Sequence, residues 1–150
     1  MKEVTLDQKK VYGLSLRTNM VNEMNPSTAK IGDLWQKFDA EVAVDYKGGE
    51  RVYGLYYDYE NGIEGDFSVT AAYDGQAEGL EKLLIEAGKY LLFEAEAKSA
   101  NDLERTNTVI ALWGEVWDYF ANEPQHTRAF NRDFDFYKDQ THIEVYVSIL

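Results

Sequence analysis

The chain has no cysteine, only two prolines in 150 residues, and no apolar run near the ~18 residues that mark a membrane-spanning helix. Without cysteine there is no disulfide framework, no thiol nucleophile and no Cys-ligated zinc or iron–sulfur site. Residues 1–10 lack the apolar stretch of a signal peptide, so the cytoplasm is the expected compartment, with no membrane contact. Basic residues are scarce: 15 Lys and Arg face 27 Asp and Glu, for a formal net charge of −12. With no basic stripe, that charge repels phosphate backbones and argues against direct nucleic-acid binding. The acidity runs through both halves of the chain and is not confined to a tail.

What the chain does have is aromatic side chains: 11 Tyr, 7 Phe and 3 Trp. Disordered acidic segments are poor in aromatics, and a chain of this length buries a core unaided, so one domain over residues 1–150 is expected. Two segments have helical periodicity. After Asn25-Pro26, an N-cap followed by proline at the first helical position, Ile31, Leu34, Trp35 and Phe38 recur at i, i+3, i+4, i+7. The second starts near Ser99-Ala100-Asn101-Asp102, where Ser99 with Asp102, or Asn101 with Glu104, fits a capping box. Its stripe is Leu103, Ile110, Trp113, Trp117 and Phe120, widened by Val109, Leu112 and Val116, and it stops before Asn122-Glu123-Pro124.

Residues 11–18, 51–59, 66–73, 89–95, 129–138 and 142–149 read as strands, rich in Val, Tyr and Phe. Asn61-Gly62 supplies turn chemistry between two of them. Residues 79–87 fit either a two-turn helix or a linker. The order is strand, helix, strand, strand, given twice. That predicts an α+β fold of tandem β-α-β-β repeats, about 1–75 and 76–150, with an antiparallel sheet and two main helices. Trp35-Gln36-Lys37-Phe38 matches Trp117-Asp118-Tyr119-Phe120, and Leu55-Tyr56-Tyr57-Asp58-Tyr59 matches Phe134-Asp135-Phe136-Tyr137-Lys138. Two such units leave a seam between them, a favoured place for a pocket.

Several segments carry a resemblance. Ala87-Gly88-Lys89-Tyr90-Leu91-Leu92-Phe93, the Trp-bearing Leu112-Trp113-Gly114-Glu115-Val116-Trp117, Asp133-Phe134-Asp135-Phe136-Tyr137 and Ile143-Glu144-Val145-Tyr146-Val147-Ser148-Ile149 resemble the GyrI-like effector-binding family. These are the ligand modules of some AraC- and MerR-type regulators. The resemblance implies a pseudo-twofold pair of SH2-like units around a cavity that takes bulky, flat, often cationic compounds with aromatic side chains and a buried acid. It implies no cofactor. The first strand begins about ten residues in, so a stand-alone module without a DNA-binding domain is expected. Where the family pattern has Glu, this chain has Asp135, shorter by one methylene.

Strand alternation sets Asp135 and Tyr137 on one face and Phe134 and Phe136 on the other. An acid beside a phenol suits a lipophilic cation; a solvated face shared with Asp133 and Asp139 is the alternative. Tyr53, Tyr57 and Tyr59 share a face, with Tyr56 and Asp58 opposite. The repeat sets Tyr57 and Tyr59 against the 135–137 segment. The expected ligand-binding set is therefore Asp135, Tyr137, Tyr57 and Tyr59, with Trp113 and Trp117 from the second helix, whose other role is core packing.

No residue is expected to be catalytic. His126 and His142 are isolated, no metal-ligand spacing is present, and neither a P-loop nor a nucleophile elbow occurs. Two other functions compete with ligand binding. One is hydrolysis of strained electrophilic natural products by Asp135, with Glu115 as second acid. The other is an acidic protein-interaction role of the gyrase-inhibitor kind, in which the charge engages a basic protein partner.

Overall fold

The computed structural model describes residues 1–122 and 124–150, so Glu123, the middle residue of the expected helix stop, lies outside the described residues. The described elements run β1 (Lys2–Leu6), β2 (Lys9–Thr18), α1 (Met20–Glu23), α2 (Ile31–Glu41), β3 (Val52–Tyr57), β4 (Phe67–Tyr73), β5 (Glu81–Ile85), β6 (Gly88–Glu96), α3 (Asp102–Ala121), β7 (Asp133–Tyr137) and β8 (His142–Ser148). The strands form one antiparallel sheet in the order β1-β6-β8-β7-β3-β4-β2-β5. The fold is α+β, and no described helix is long and apolar enough to cross a membrane.

Local chemistry sets the helix ends. α3 begins where Asn101 Oδ1 accepts the Glu104 N–H at 2.8 Å, one of the two expected caps. α2 begins at Ile31 rather than beside Asn25-Pro26. The carboxylate of Glu23, at the end of α1, accepts the Lys30 and Ile31 N–H groups at 3.0 and 3.1 Å, supplying the cap that Lys30 cannot. Asn25 is spent on a turn, accepting from Ser27.

Residues 79–87 form neither a helix nor a linker throughout: β5 is an edge strand paired with β2, Leu83 opposite Val11. Gly79 at φ 81° and Gly88 at φ 148° bracket it. A segment this short nucleates helix poorly, whereas pairing buries Leu83 and Ile85. At the other edge β1, which the sequence did not suggest, pairs with β6.

Both main helices lie on one face of the sheet. Leu34 and Phe38 of α2 pack on Val52, Val69 and Ala71. Leu112 and Val116 of α3 pack on Leu91, Phe93, Val145 and Val147. The expected stripe of α3 thus packs through its Leu112 and Val116 side, whereas Leu103, Ile110 and Trp117 stand 69%, 65% and 40% exposed. The other face holds a third cluster around Tyr53, Leu55, Tyr57, Tyr90 and Phe134. β3 and β7 join the two halves, with Gly54 opposite Asp135 and Tyr56 opposite Asp133. Each helix covers its own half, so the β3–β7 junction lies between them.

Candidate functional site

Directly paired residues of an antiparallel sheet share a face, so Gly54 and Tyr56 project to the same side as Asp133, Asp135 and Tyr137. That is the helical side. Asp135 is 1% exposed, which overturns the solvated-face alternative, and the same holds for Asp133 at 0%. Tyr56 Oη donates to Asp135 Oδ2 at 3.0 Å and Trp113 Nε1 donates to the same oxygen at 3.3 Å. Two tryptophans close the sides crosswise. Trp35 of α2 meets Tyr137 of β7 edge-on at 5.9 Å, and Trp113 of α3 meets Tyr56 of β3 at 5.2 Å. Such edge-to-face pairs fix ring orientation as well as burying area.

Asp135 Oδ1 is buried with no hydrogen-bond partner among the described residues. Burial pushes the Asp135 carboxyl up to about 6, against the hydrogen bonds of Trp113 and Tyr56 and the pull of Tyr137 and the Gly54 amide. The same burial, with the acid alongside, raises the Tyr56 and Tyr137 hydroxyls well above the ordinary phenol range, so both stay protonated. Oδ1 points at Gly54. A Cβ there would collide with Oδ1 and come within 3.2 Å of Trp35. Gly54→Ala should therefore push the acid off its seat. The measurable result is a Trp113 emission shift together with a loss of roughly 1–3 kcal/mol in urea unfolding, the usual cost of overpacking. An unchanged emission spectrum would show that the seat tolerates a methyl group.

Two residues away, Asp133 is bonded on both oxygens. Oδ1 accepts the Ser148 N–H and Oγ–H at 2.8 and 2.9 Å, and Oδ2 accepts Tyr59 Oη at 2.6 Å and Arg128 at 2.7 Å. The Arg128 guanidinium also lies 4.3 Å from the Phe130 ring centroid. Asp133 has no capacity left for a ligand. Asp135 does.

The other residues singled out from sequence fall as follows. Tyr137 and Trp113 stand beside Asp135. Tyr59 is on the same side, bonded to Asp133 and against Phe67 and Phe130. It gets there because Asp58 takes φ 50°, which breaks the strand alternation. Tyr57 is on the opposite face, bonded to Thr70 at 2.8 Å, with Arg132 over its ring. Trp117 and Glu115 face solvent. Sequence reasoning passed over Tyr56, Trp35 and Gly54 as site residues. The Leu34-Trp35 pair, like Leu112-Trp113, was the available signal for Trp35. Two surface cavities of about 260 and 160 Å³ lie elsewhere, beside Glu94 and Glu144 and beside Tyr53 and Phe136, and neither is lined by Asp135.

Residues 4–149 match the family model described as Cass2, integron-associated effector binding protein. Among solved structures, an integron cassette protein from the mobile metagenome of Vibrio cholerae is 35% identical, with a TM-score of 0.87, covering 99% of this chain and 95% of its own. A protein designated SAV2435, solved bound to tetraphenylphosphonium, has the same fold at 15% identity and TM-score 0.63, covering 99% of this chain and 93% of its own. No curated protein matches the chain.

Proposed function

The chain belongs to the integron-associated effector-binding (Cass2) family, within the GyrI-like proteins, and from that premise we propose that it binds bulky, hydrophobic, cationic small molecules at Asp135. The observation that carries this reading is the unpartnered Asp135 Oδ1, buried among Trp35, Tyr56, Trp113 and Tyr137. An unmet buried carboxylate oxygen is costly, and a ligand cation offsets that cost. Unit charges about 4 Å apart attract by roughly 4 kcal/mol at an effective dielectric near 20, before desolvation. Each ring facing the cation adds about 0.5–2 kcal/mol. Stacking and a point charge impose little hydrogen-bond pattern, so specificity is broad.

In this reading the fold is a pair of repeats related by an approximate twofold between β3 and β7. The strand order supports it: β3-β4-β2-β5 on one side of the junction is mirrored by β7-β8-β6-β1 on the other. The site sits on that axis, with one tryptophan from each half. Of the residues expected from sequence, Asp135, Tyr137 and Trp113 form it, with Tyr56 in place of Tyr57 and with Tyr59 as an outer neighbour through Asp133. The net charge of −12 concentrates cations near the molecule, in a salt-dependent way. The family's description is of an effector-binding protein, and the residues act by binding, not by turnover.

The test is tryptophan fluorescence with tetraphenylphosphonium, whose own charge does not titrate, against neutral triphenylphosphine oxide. Only ionised Asp135 attracts a cation, and its carboxyl sits near pH 6. Phosphonium affinity should fall about tenfold per pH unit below that point and level off above it. The neutral compound should bind more weakly and with no such profile. Equal affinities, or a flat profile for the cation, would remove Asp135 from the site.

A further inference from the structure

Among the described residues four cations lie over aromatic rings, and three are fastened there. Lys9, over Tyr53, pairs with Asp74 at 3.3 Å. Arg128, over Phe130, Phe120 and Tyr59, pairs with Asp133 at 2.7 Å. Arg132, over Tyr57, donates to the Leu84 carbonyl at 2.6 Å. The fourth, Arg105, has its guanidinium 5.6 Å from the centroid of Tyr137, the ring beside Asp135. Among the described residues that guanidinium forms no salt bridge and no hydrogen bond, and its Nε is buried without a partner.

Arg105 lies on α3 two turns before Trp113, about 12 Å along the axis, on the side of the helix that faces the sheet. Tyr137 follows Asp135 by two residues on β7, so the guanidinium stands at one end of the aromatic floor and Trp113 stands over the acid. Asp39 on α2 and Asp102 on α3 are close enough for their charges and that of Arg105 to act on one another. A guanidinium leaving Tyr137 therefore has two carboxylates to move toward.

We propose that Arg105 is an internal competitor for the site: it holds the Tyr137 face that a ligand cation needs, and a ligand enters by displacing it toward Asp39 and Asp102. This rests on the binding function proposed above and sharpens its specificity. A cation bearing enough aromatic surface to repay the displacement binds, whereas a compact hydrophilic cation does not. The loose fastening of Arg105, beside three cations that are tied down, is what makes it displaceable.

The experiment titrates wild type, Arg105→Gln and Arg105→Met with tetraphenylphosphonium, tetramethylammonium and triphenylphosphine oxide by tryptophan fluorescence. Both variants should bind tetraphenylphosphonium at least about tenfold more tightly than wild type. Tetramethylammonium should become detectable, and the neutral oxide should change by less than about twofold. In wild type, the Arg105 Nε–H proton resonance should leave the ring-current field of Tyr137 on saturation with tetraphenylphosphonium, a readout that needs no variant to fold. Unchanged or weaker cation binding in both variants, or an Nε–H signal that stays put, overturns the role of Arg105. If wild type still binds cations in an Asp135-dependent way, the site itself stands. If neither wild type nor the variants bind the cation, the proposed function fails and this inference with it.

Discussion

Asp135→Asn should cost the protein its cation binding and make the empty protein more stable. The asparagine keeps the shape and still accepts from Tyr56 and Trp113, but it brings no charge to Oδ1. Cation affinity should drop by about 30- to 100-fold, the 2–3 kcal/mol left of the Coulombic attraction after desolvation. Neutral compounds should be nearly unaffected. For stability, the folded protein holds this carboxyl near 6 against an ordinary 3.8. Between those values the folded state binds more protons than the unfolded state, so stability falls as pH rises from about 4 to about 6, and the full cost, on the order of 3 kcal/mol, is present above that. Asparagine removes the cost but leaves its own amide unpartnered. The net gain at neutral pH is about 1–2 kcal/mol, or a few degrees in Tm for a chain of this size. Thermal melts of both proteins at about pH 5 and about pH 7.5 check it. A variant that melts lower than wild type at the higher pH would mean that Asp135 is a structural residue.

The fold was more legible than the site, for a physical reason. Helices announce themselves by period and caps: Asn101 and the Leu34, Trp35, Phe38 spacing survive intact in α3 and α2. Six of the eight strands stand where Val, Tyr and Phe cluster. What the sequence could not supply was long-range pairing. β1 and β5 are edge strands whose own residues, Lys2–Leu6 and Glu81–Ile85, have little strand character, and only their partners β6 and β2 hold them.

The site failed to read for a related reason. β3 is buried on both faces, with Tyr53 and Tyr57 on one and Tyr56 on the other, so no polar alternation tells which face meets the helices. Counting by twos separates Tyr56 from Tyr57 correctly. It does not say which one faces Asp135; the β3–β7 register does. The left-handed Asp58 then returns Tyr59 to the Tyr56 side, a phase change invisible to periodicity. Along β7, the Asp-Phe-Asp-Phe-Tyr run gives the two acids one face but not their different employment. That depends on Arg128 and Ser148, which reach Asp133 and leave Asp135 Oδ1 alone.

The same substitution made two residues earlier should have the opposite effect on stability. Asp133 is fully buried and meets donors only: Tyr59, Arg128 and the Ser148 amide and hydroxyl. In Asp133→Asn one oxygen becomes an N–H pair facing donors, and Arg128, whose side chain is 8% exposed, keeps its charge with no counter-ion. Breaking a buried pair from one side costs about 3–5 kcal/mol, because the remaining charge is left uncompensated. For 150 residues that lowers Tm by roughly 10 °C or more. Replacing Arg128 as well, by Met, removes the orphaned charge while keeping a side chain against Phe130. The double variant should therefore melt higher than Asp133→Asn alone. Tetraphenylphosphonium affinity, measured well below the melting point, should stay within a few fold of wild type in the double variant. A single variant that melts with wild type would mean that Asp133 and Arg128 are not coupled in solution, and the contrast with Asp135, on which the choice of ligand acid rests, would lose its basis.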